Sequence, residues 1–567
     1  MVTSSSRNHG ARNSGKSRWF LGTNFGHDAA VALINGKGEL VFALEEGRVT
    51  SEKNCSRFPV NAIASALKIT EGGDLVWGEG WHWPKRLLHK GIAATIQYGF
   101  REPLLLRVRL RKELLRFGRS IYFTVRYRRK LGTPVFTGHH LAHALSLVPC
   151  DLPKSTVVLV SDTTGEQDSL SAYYWDGKCM TLLNRSPWPN SPGTIFHQAA
   201  YFAGFPGERG PGKLMALSAY GKPHEFTQLH NATSVRSGRF RVDTALYPAF
   251  RYTDAIERTL SSEPAASRCR LARARHAEAN ASDFAATMQH WFEDILRRLV
   301  DDTCETARNA GLQVHAVGLS GGAALNCQAN GRLANHLVHQ GIEKLVVSPW
   351  SSDAGTAVGA AVHVALRAGV TKFRATTPLL GPRHEDAREA ADDDVSDAAD
   401  AILRGEIVAL VSGGVEFGPR ALGGRALLAD ARRADAVERL NHVKGRPAFM
   451  PFAPVARAEE CHRWFAGTPS ADMAWTVNVK DGAATAFPGI RHPSGEARVQ
   501  AAVRERCPLL YRLLQQCEKR GMPMLLLTSL NGAGEPMLAN VRSSIMTARV
   551  LGAAGCLTDK GWTVFDD

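Results

Sequence analysis

The chain has 567 residues, of which 44% are hydrophobic and 22% charged, and a formal net charge of +15. Single cores seldom exceed roughly 250–300 residues, so two or more domains are expected. No apolar run reaches signal-peptide or membrane-spanning length, and the ten cysteines include no CxxC pair, which excludes a zinc ribbon and a dithiol redox motif. A cytoplasmic protein with reduced thiols and no membrane partner is expected.

In chain order, residues 1–17 are rich in serine with scattered arginine and lysine and are expected to be disordered. Trp19 to Thr23 reads as a buried strand, followed by a polar loop with His27 and Asp28, a second strand Ala29 to Ile34, an Asn35-Gly36 hairpin turn and a third strand Leu40 to Leu44. Residues 101–130 carry eleven arginines and lysines against Glu102 and Glu113. Their interleaving with apolar residues predicts an amphipathic helix with a solvated basic face, or else an anion-attracting rim or an insert facing an acceptor. In Gly138 to His143, the four-residue spacing of His139 and His143 puts both imidazoles on one helix face, as a divalent metal requires and as a pair of core histidines also shows.

The first syntax then returns: strand Val157 to Val160, polar loop Ser161 to Glu166, strand Ser171 to Trp175, turn Asp176-Gly177 and strand Met180 to Leu183. Two such matches predict a duplicated α/β domain with halves facing across a cleft, the architecture of the actin-like ATPase superfamily, which the pattern resembles. Lys213 sits in a glycine-rich run where it can reach a phosphate. Strand Ala316 to Leu319 enters Ser320-Gly321-Gly322, and Ser348 to Gly355 precedes a second small-residue helix; glycine turns opening helices suit a nucleotide. In this fold Asp162 and Asp353 can join His139 and His143 in the cleft, a donor set that suits iron, manganese or zinc. His27 is placed to take a proton.

A polar stretch, 373–395, is read as a linker between a domain at 18–372 and another at 396–567. The second contains Glu416 to Arg425 and Asn441 to Arg446, where Arg420, Arg425, Lys444 and Arg446 among glycines and prolines look aimed at an anion, with Arg498 a further donor. Its apolar strand Met524 to Leu527 runs into Ser529 and Asn531, side chains that suit a small polar ligand.

Gly26-His27-Asp28, His139 to His143, Asp162 with Gly165-Glu166, Gly212 to Met215, Glu416 to Gly423, Pro451 to Pro454 and Gly534-Glu535-Pro536 together resemble the NodU/CmcH family of carbamoyltransferases, and within it the antibiotic-tailoring O-carbamoyltransferases. The resemblance implies a TsaD-like first domain fused to a YrdC-like second one, whose KxR and SxN signatures match Lys444-Gly445-Arg446 and Ser529-Leu530-Asn531. It implies that carbamoyl phosphate and ATP, with Mg2+, form carbamoyl adenylate in the second domain at Arg420, Arg425, Lys444, Arg446, Arg498, Ser529 and Asn531. It further implies transfer to a small-molecule hydroxyl in the first, where His139, His143, Asp162 and Asp353 hold a metal, with iron the expected ion. Nucleotide contacts there fall on Glu166, Lys213, Gly321, Gly322 and Asn326. No nucleic-acid partner is expected, and a homodimer is the default. A threonylcarbamoyl-tRNA-type enzyme of the same fold and a non-catalytic nucleotide- and metal-binding module are the rival readings.

Three departures from the family pattern stand out. Met450 occupies the position before Pro451 where arginine is common, Gly47 is inserted in Glu45-Glu46-Gly47-Arg48, and Gly532-Ala533-Gly534 lacks a lysine.

Overall fold

The strand-loop-hairpin pattern that occurs twice in the sequence occurs twice in space. This computed structural model describes residues 17–81, 85, 87–89, 103–163, 165–224, 227–243, 280–383 and 389–565; the expected disordered start lies outside them except for Ser17. One five-stranded sheet is built from β1 (Arg18–Asn24), β2 (Ala30–Asn35), β3 (Leu40–Glu45), β4 (Asp74–Glu79) and β5 (Val135–Phe136), in the order β3-β2-β1-β4-β5. The next three strands are β6 (Thr156–Ser161), β7 (Asp168–Trp175) and β8 (Met180–Pro187). After a small ribbon of β9 (Thr233–Arg236) and β10 (Arg239–Val242), β11 (Ala316–Ser320) and β12 (Lys344–Val347) complete a second sheet ordered β12-β11-β6-β7-β8. Each sheet is an antiparallel three-strand meander extended by two parallel strands at the edge of its first strand.

The two halves meet through small residues. Helix Gly355–Arg367 packs on β1, β2 and β4 and also on helix His139–Leu145. A Cβ on Gly359 would stand 1.7 Å from the carbonyl oxygen of Ala142, and one on Gly22 1.9 Å from that of Ala357. Only residues without a Cβ permit that approach. As a result the turn carrying Asp353, just before the helix, is pressed against the helix carrying His139 and His143.

Residues 374–380, expected in a linker, run along the first sheet instead. Leu40 N donates to the Arg374 carbonyl at 2.9 Å, and Ala43 N to that of Leu380 at 3.0 Å. Helix Asp392–Leu403 begins within the expected linker's far end and leads to β13 (Val408–Val411), β14 (Arg425–Asp430) and β15 (Ala453–Arg457). A three-stranded antiparallel sheet follows, of β16 (Phe465–Ala466), β17 (Val477–Val479) and β18 (Glu496–Ala497). Then β19 (Gln500–Ala502), β20 (Met524–Ser529), β21 (Gly555–Thr558) and β22 (Gly561–Val564) complete a mixed seven-stranded sheet ordered β19-β15-β20-β14-β13-β21-β22.

Buried residues of the first and seven-stranded sheets, among them Leu21, Trp77, Leu410 and Leu527, belong to one apolar cluster. Arg48 fastens the same junction. Its guanidinium donates to Glu45 Oε1 at 2.8 Å and to the Gly418 carbonyl, while Gly418 N donates to Glu45 at 3.0 Å. With Gly47 before it, Arg48 thus holds the loop that begins at Glu416. The basic stretch is a single helix, Pro103–Leu131, anchored by Phe123 stacked on Phe58 with ring centroids 4.1 Å apart. No described helix is long and apolar enough to cross a membrane.

Candidate metal centre and anion site

His139 and His143 lie one turn apart on their short helix, Asp162 follows β6, and Asp353 ends the turn before helix Gly355–Arg367. Their ligand atoms all lie within 4.8 Å of one another, as no other such group does among the described residues. His139 Nε2 stands 3.2 Å from His143 Nε2, 3.3 Å from Asp162 Oδ2 and 3.6 Å from Asp353 Oδ1, and His143 Nε2 is 3.5 and 3.6 Å from the same two oxygens. Donors ~2.1 Å from a common centre are roughly 3.4 Å apart at the corners of a tetrahedron. The spacing therefore fits one divalent ion.

The electrostatics fit it as well. Burial and the neighbouring Asp162 charge raise Asp353 to about 6, whereas Asp162, despite burial, is held low by bonds from both imidazoles. Burial drives His139 well below the usual imidazole range, while His143, equally buried, is carried up to about 9 by Asp162 and Asp353. Two carboxylates, Asp162 buried and Asp353 partly so, with one charged ring between them are short of positive charge, which a cation supplies.

The sequence reading passed over the residues that hold this cluster in place. The Trp81 indole stacks on the His139 ring with centroids 3.8 Å apart and donates to Asn24 Oδ1 at 2.7 Å. Asn24 in turn donates to the carbonyls of His27, Asp28 and Asp353 at 2.9, 3.1 and 3.0 Å. One amide thus ties the first hairpin loop to the metal-side turn. A lone Asn at a strand end carries no sequence signal for that. His27 itself is half-exposed on the cavity wall, 3.2 Å from Asp28. Burial opposes its charge, but Asp28 and then Asp353 prevail and raise it to about 9.

In the second unit Lys444, Arg446, Arg420 and Arg498 converge with Ser529 and Asn531 on the same cavity. Lys444 Nζ donates to the Ser529 carbonyl at 2.5 Å, to Asn531 Oδ1 at 3.0 Å and to the Asn531 carbonyl. Burial, then Arg446, Lys53 and Arg209, lower its pKa to about 7. Burial and the adjoining guanidinium of Arg498 bring Arg420 down to about 9 and Arg446 to about 10. Cations that outnumber the carboxylates beside them, of which Glu535 acts on Lys444, are a site prepared for an anion. Lys53 and Arg209, from the first domain, join them; neither stood out in the sequence, Lys53 because no motif surrounds it and Arg209 because it stands beside Lys213 in the same glycine-rich run.

Arg425, expected among these cations, is not one of them. It is fully buried away from the cavity, and its guanidinium donates to the carbonyls of Ser412, Gly424, Leu538 and Ala539 at 2.8–3.2 Å. Its place in strand β14 turns it inward, where it fastens the loop. Glu416 does related work, accepting from Leu422 N, Gly424 N and Arg425 N at 2.7–2.9 Å.

Of the other expected nucleotide contacts, Lys213, Gly322 and Asn326 line the cavity, while Glu166 and Gly321 lie outside its wall. The Asn326 side chain is committed to local bonds: it accepts from Ala329 N and exchanges hydrogen bonds with Gln289. A Cβ on Gly321 would lie 2.4 Å from the Ser161 carbonyl oxygen, so this residue packs the loop against β6.

The two clusters share one continuous cavity of about 1590 Å³, lined by His27, Asp162 and Asp353 at one part and by Arg420, Lys444 and Asn531 at another. Pockets for a single small ligand run to roughly 1,000 Å³. This one has room for more than one substrate.

Family models described as the carbamoyltransferase N-terminus and C-terminus match residues 88–362 and 399–556. The nodulation protein NolO of Bradyrhizobium diazoefficiens is 30% identical over 440 residues, covering 72% of this chain and 75% of its own. The 3'-hydroxymethylcephem-O-carbamoyltransferase of Amycolatopsis lactamdurans is 27% identical, covering 95% and 97%. Among solved structures, full-length HypF in its phosphate- and nucleotide-bound form has a TM-score of 0.33 at 13% identity, covering 62% of this chain and 55% of its own, a likeness too slight to carry argument. The mixed α/β fold and these matches define an enzyme of carbamoyl transfer. The chain belongs to the carbamoyltransferase family, among relatives that include O-carbamoyltransferases.

Proposed function

We propose that the protein activates carbamoyl phosphate with ATP at the second unit's cations and delivers the carbamoyl group to a small-molecule hydroxyl beside the histidine–aspartate cluster. The observation that carries this reading is the single cavity lined by both clusters. A carbamoyl intermediate formed at one cluster would reach the other within the same cavity. The matching pair of sheets supports reading residues 18–372 as an actin-like, TsaD-like domain, with 373–395 joining it to a YrdC-like domain at 396–567.

In the first half-reaction Lys444, Arg420, Arg446 and Arg498 balance the charge of carbamoyl phosphate and the ATP polyphosphate with its Mg2+, and Ser529 and Asn531 orient them. Water splits carbamoyl phosphate into carbamate and phosphate. A carbamate oxygen then attacks the α-phosphorus of ATP, the bond to the β-phosphate oxygen breaks, and pyrophosphate leaves, giving carbamoyl adenylate. In the second half-reaction the acceptor oxygen attacks the carbamoyl carbon, the bond to AMP breaks, and the hydroxyl proton passes to a base on the wall; His27 is placed for that role in its deprotonated form, which Asp28 and Asp353 disfavour below about pH 9.

His139, His143, Asp162 and Asp353 would hold a divalent ion, iron by family resemblance with manganese or zinc suited to the same donors, which supplies Lewis-acid stabilisation of developing negative charge. Lys213 and the Gly322 backbone would contact the nucleotide from the first domain, with Glu166, Gly321 and Asn326 framing its loops. The cephem relatives' name specifies a hydroxymethyl acceptor, and by analogy the acceptor here is a hydroxylated small molecule such as an antibiotic or another secondary metabolite. Purified protein given carbamoyl phosphate, ATP and a divalent metal is expected to release pyrophosphate. Formation of ADP and phosphate alone would contradict the adenylate route.

A further inference from the structure

Helix Pro103–Leu131 presents two faces. Glu113, Ser120 and Leu131 are buried on its inner side, and Lys112, Arg116 and Phe123 reach the cavity wall. Its outer side exposes Leu114 (57%), Tyr122 (55%) and Val125 (67%), with Leu115 and Ile121 also exposed. The spacing of Leu114, Gly118, Ile121 and Val125 places them in one stripe along the axis. No other stretch of similar length among the described residues exposes so many large apolar side chains.

Cations border the stripe. Arg111, Arg128, Arg129 and Lys130 have no ion-pair partner among the described residues, and Arg126 donates only to Tyr122, while Arg119 turns to the cavity with Arg116. The helix's one acid, Glu113, faces inward and pairs with Arg116.

An apolar stripe in water between unpaired cations is the composition of a helix that lies on an anionic bilayer surface. A second copy of this chain does not fit, because stripe-to-stripe pairing would oppose Arg111, Arg126 and Arg129 to the same cations. A nucleic acid would engage the cations and leave the stripe wet. The absence of a spanning segment, from which no membrane partner was expected, has no bearing on a helix that lies in the interface.

We propose that this helix docks the protein peripherally on anionic lipid, with Leu114, Ile121 and Val125 inserted and the flanking arginines and lysines on the headgroups. The test is co-sedimentation of the full chain with vesicles of phosphatidylcholine alone and of phosphatidylcholine mixed with phosphatidylglycerol. Binding is expected to the mixed vesicles only, to fall with added salt, and to drop roughly fivefold for each cation removed in Arg126→Gln and Lys130→Gln. It is expected to be lost in Ile121→Ser/Val125→Ser, with pyrophosphate release in solution unchanged. No binding to mixed vesicles, equal binding to both kinds, or full binding by Ile121→Ser/Val125→Ser would overturn the proposal. So would a concentration-dependent dimer broken by that double variant without vesicle binding. Because the readout is lipid binding, failure here leaves the carbamoyl-transfer reading untouched, and loss of pyrophosphate release would strike that reading alone.

Discussion

Lys444 shows how a single residue is made sensitive to its surroundings. Burial and the neighbouring Arg446, Lys53 and Arg209 bring its pKa down to about 7, so the free site carries its full charge below that pH and loses one cation as pH rises through it. The KM for carbamoyl phosphate is therefore expected to climb above pH 7, by up to about tenfold per unit, because the anion selects the protonated form. In Lys444→Arg the guanidinium stays charged and the climb should flatten. A wild-type KM independent of pH between 6 and 9 would place this lysine outside the binding step. Arg425 makes the opposite point. It stands in a cationic sequence run yet spends its donors on four carbonyls, because strand alternation, which the glycine-rich run obscures, sets its direction.

Among the elements, the packing of helix Gly355–Arg367 decides whether the metal cluster can form. Gly→Ala inside a helix ordinarily stabilises by about 1 kcal/mol. At Gly359 the added Cβ would stand 1.7 Å from the Ala142 carbonyl oxygen, and forcing the helices apart outweighs that gain, costing about 1–3 kcal/mol. Wild-type protein is expected to gain about 3 kcal/mol of stability at a hundredfold excess of divalent metal over its Kd. Gly359→Ala should lose both baseline stability and most of the metal-dependent rise in thermal midpoint. An unchanged midpoint with an unchanged metal response would refute the role given to this contact. The small-residue character of this helix was evident in the sequence. What it presses against was not, since Ala142 and Gly22 are more than two hundred residues away in the chain.

For the whole molecule, the hairpin repeat was legible because Asn-Gly and Asp-Gly turns between apolar runs leave little choice of local structure. So were His139, His143, Asp162 and Asp353, each marked by a motif. The residues that were not legible act through tertiary contact: Asn24 and Trp81 behind the metal cluster, Lys53 and Arg209 across from Lys444, and Arg48 at the junction of the two units. The packing of residues 374–380, read as part of a linker, was not legible for a similar reason. Their polar composition says nothing of the backbone hydrogen bonds they make along β3.

In the proposed function, the cavity lined by both clusters is what would make the chain one catalyst rather than two binding sites. The most direct test compares His139→Ala and Lys444→Ala with wild type, measuring pyrophosphate release and, by the mass gain of one carbamoyl group, product formed on a hydroxylated acceptor. His139→Ala is expected to retain much of the pyrophosphate release and lose carbamoyl transfer, while Lys444→Ala loses both. Equal loss of both activities in the two variants would contradict a division between activation at Lys444 and transfer at His139.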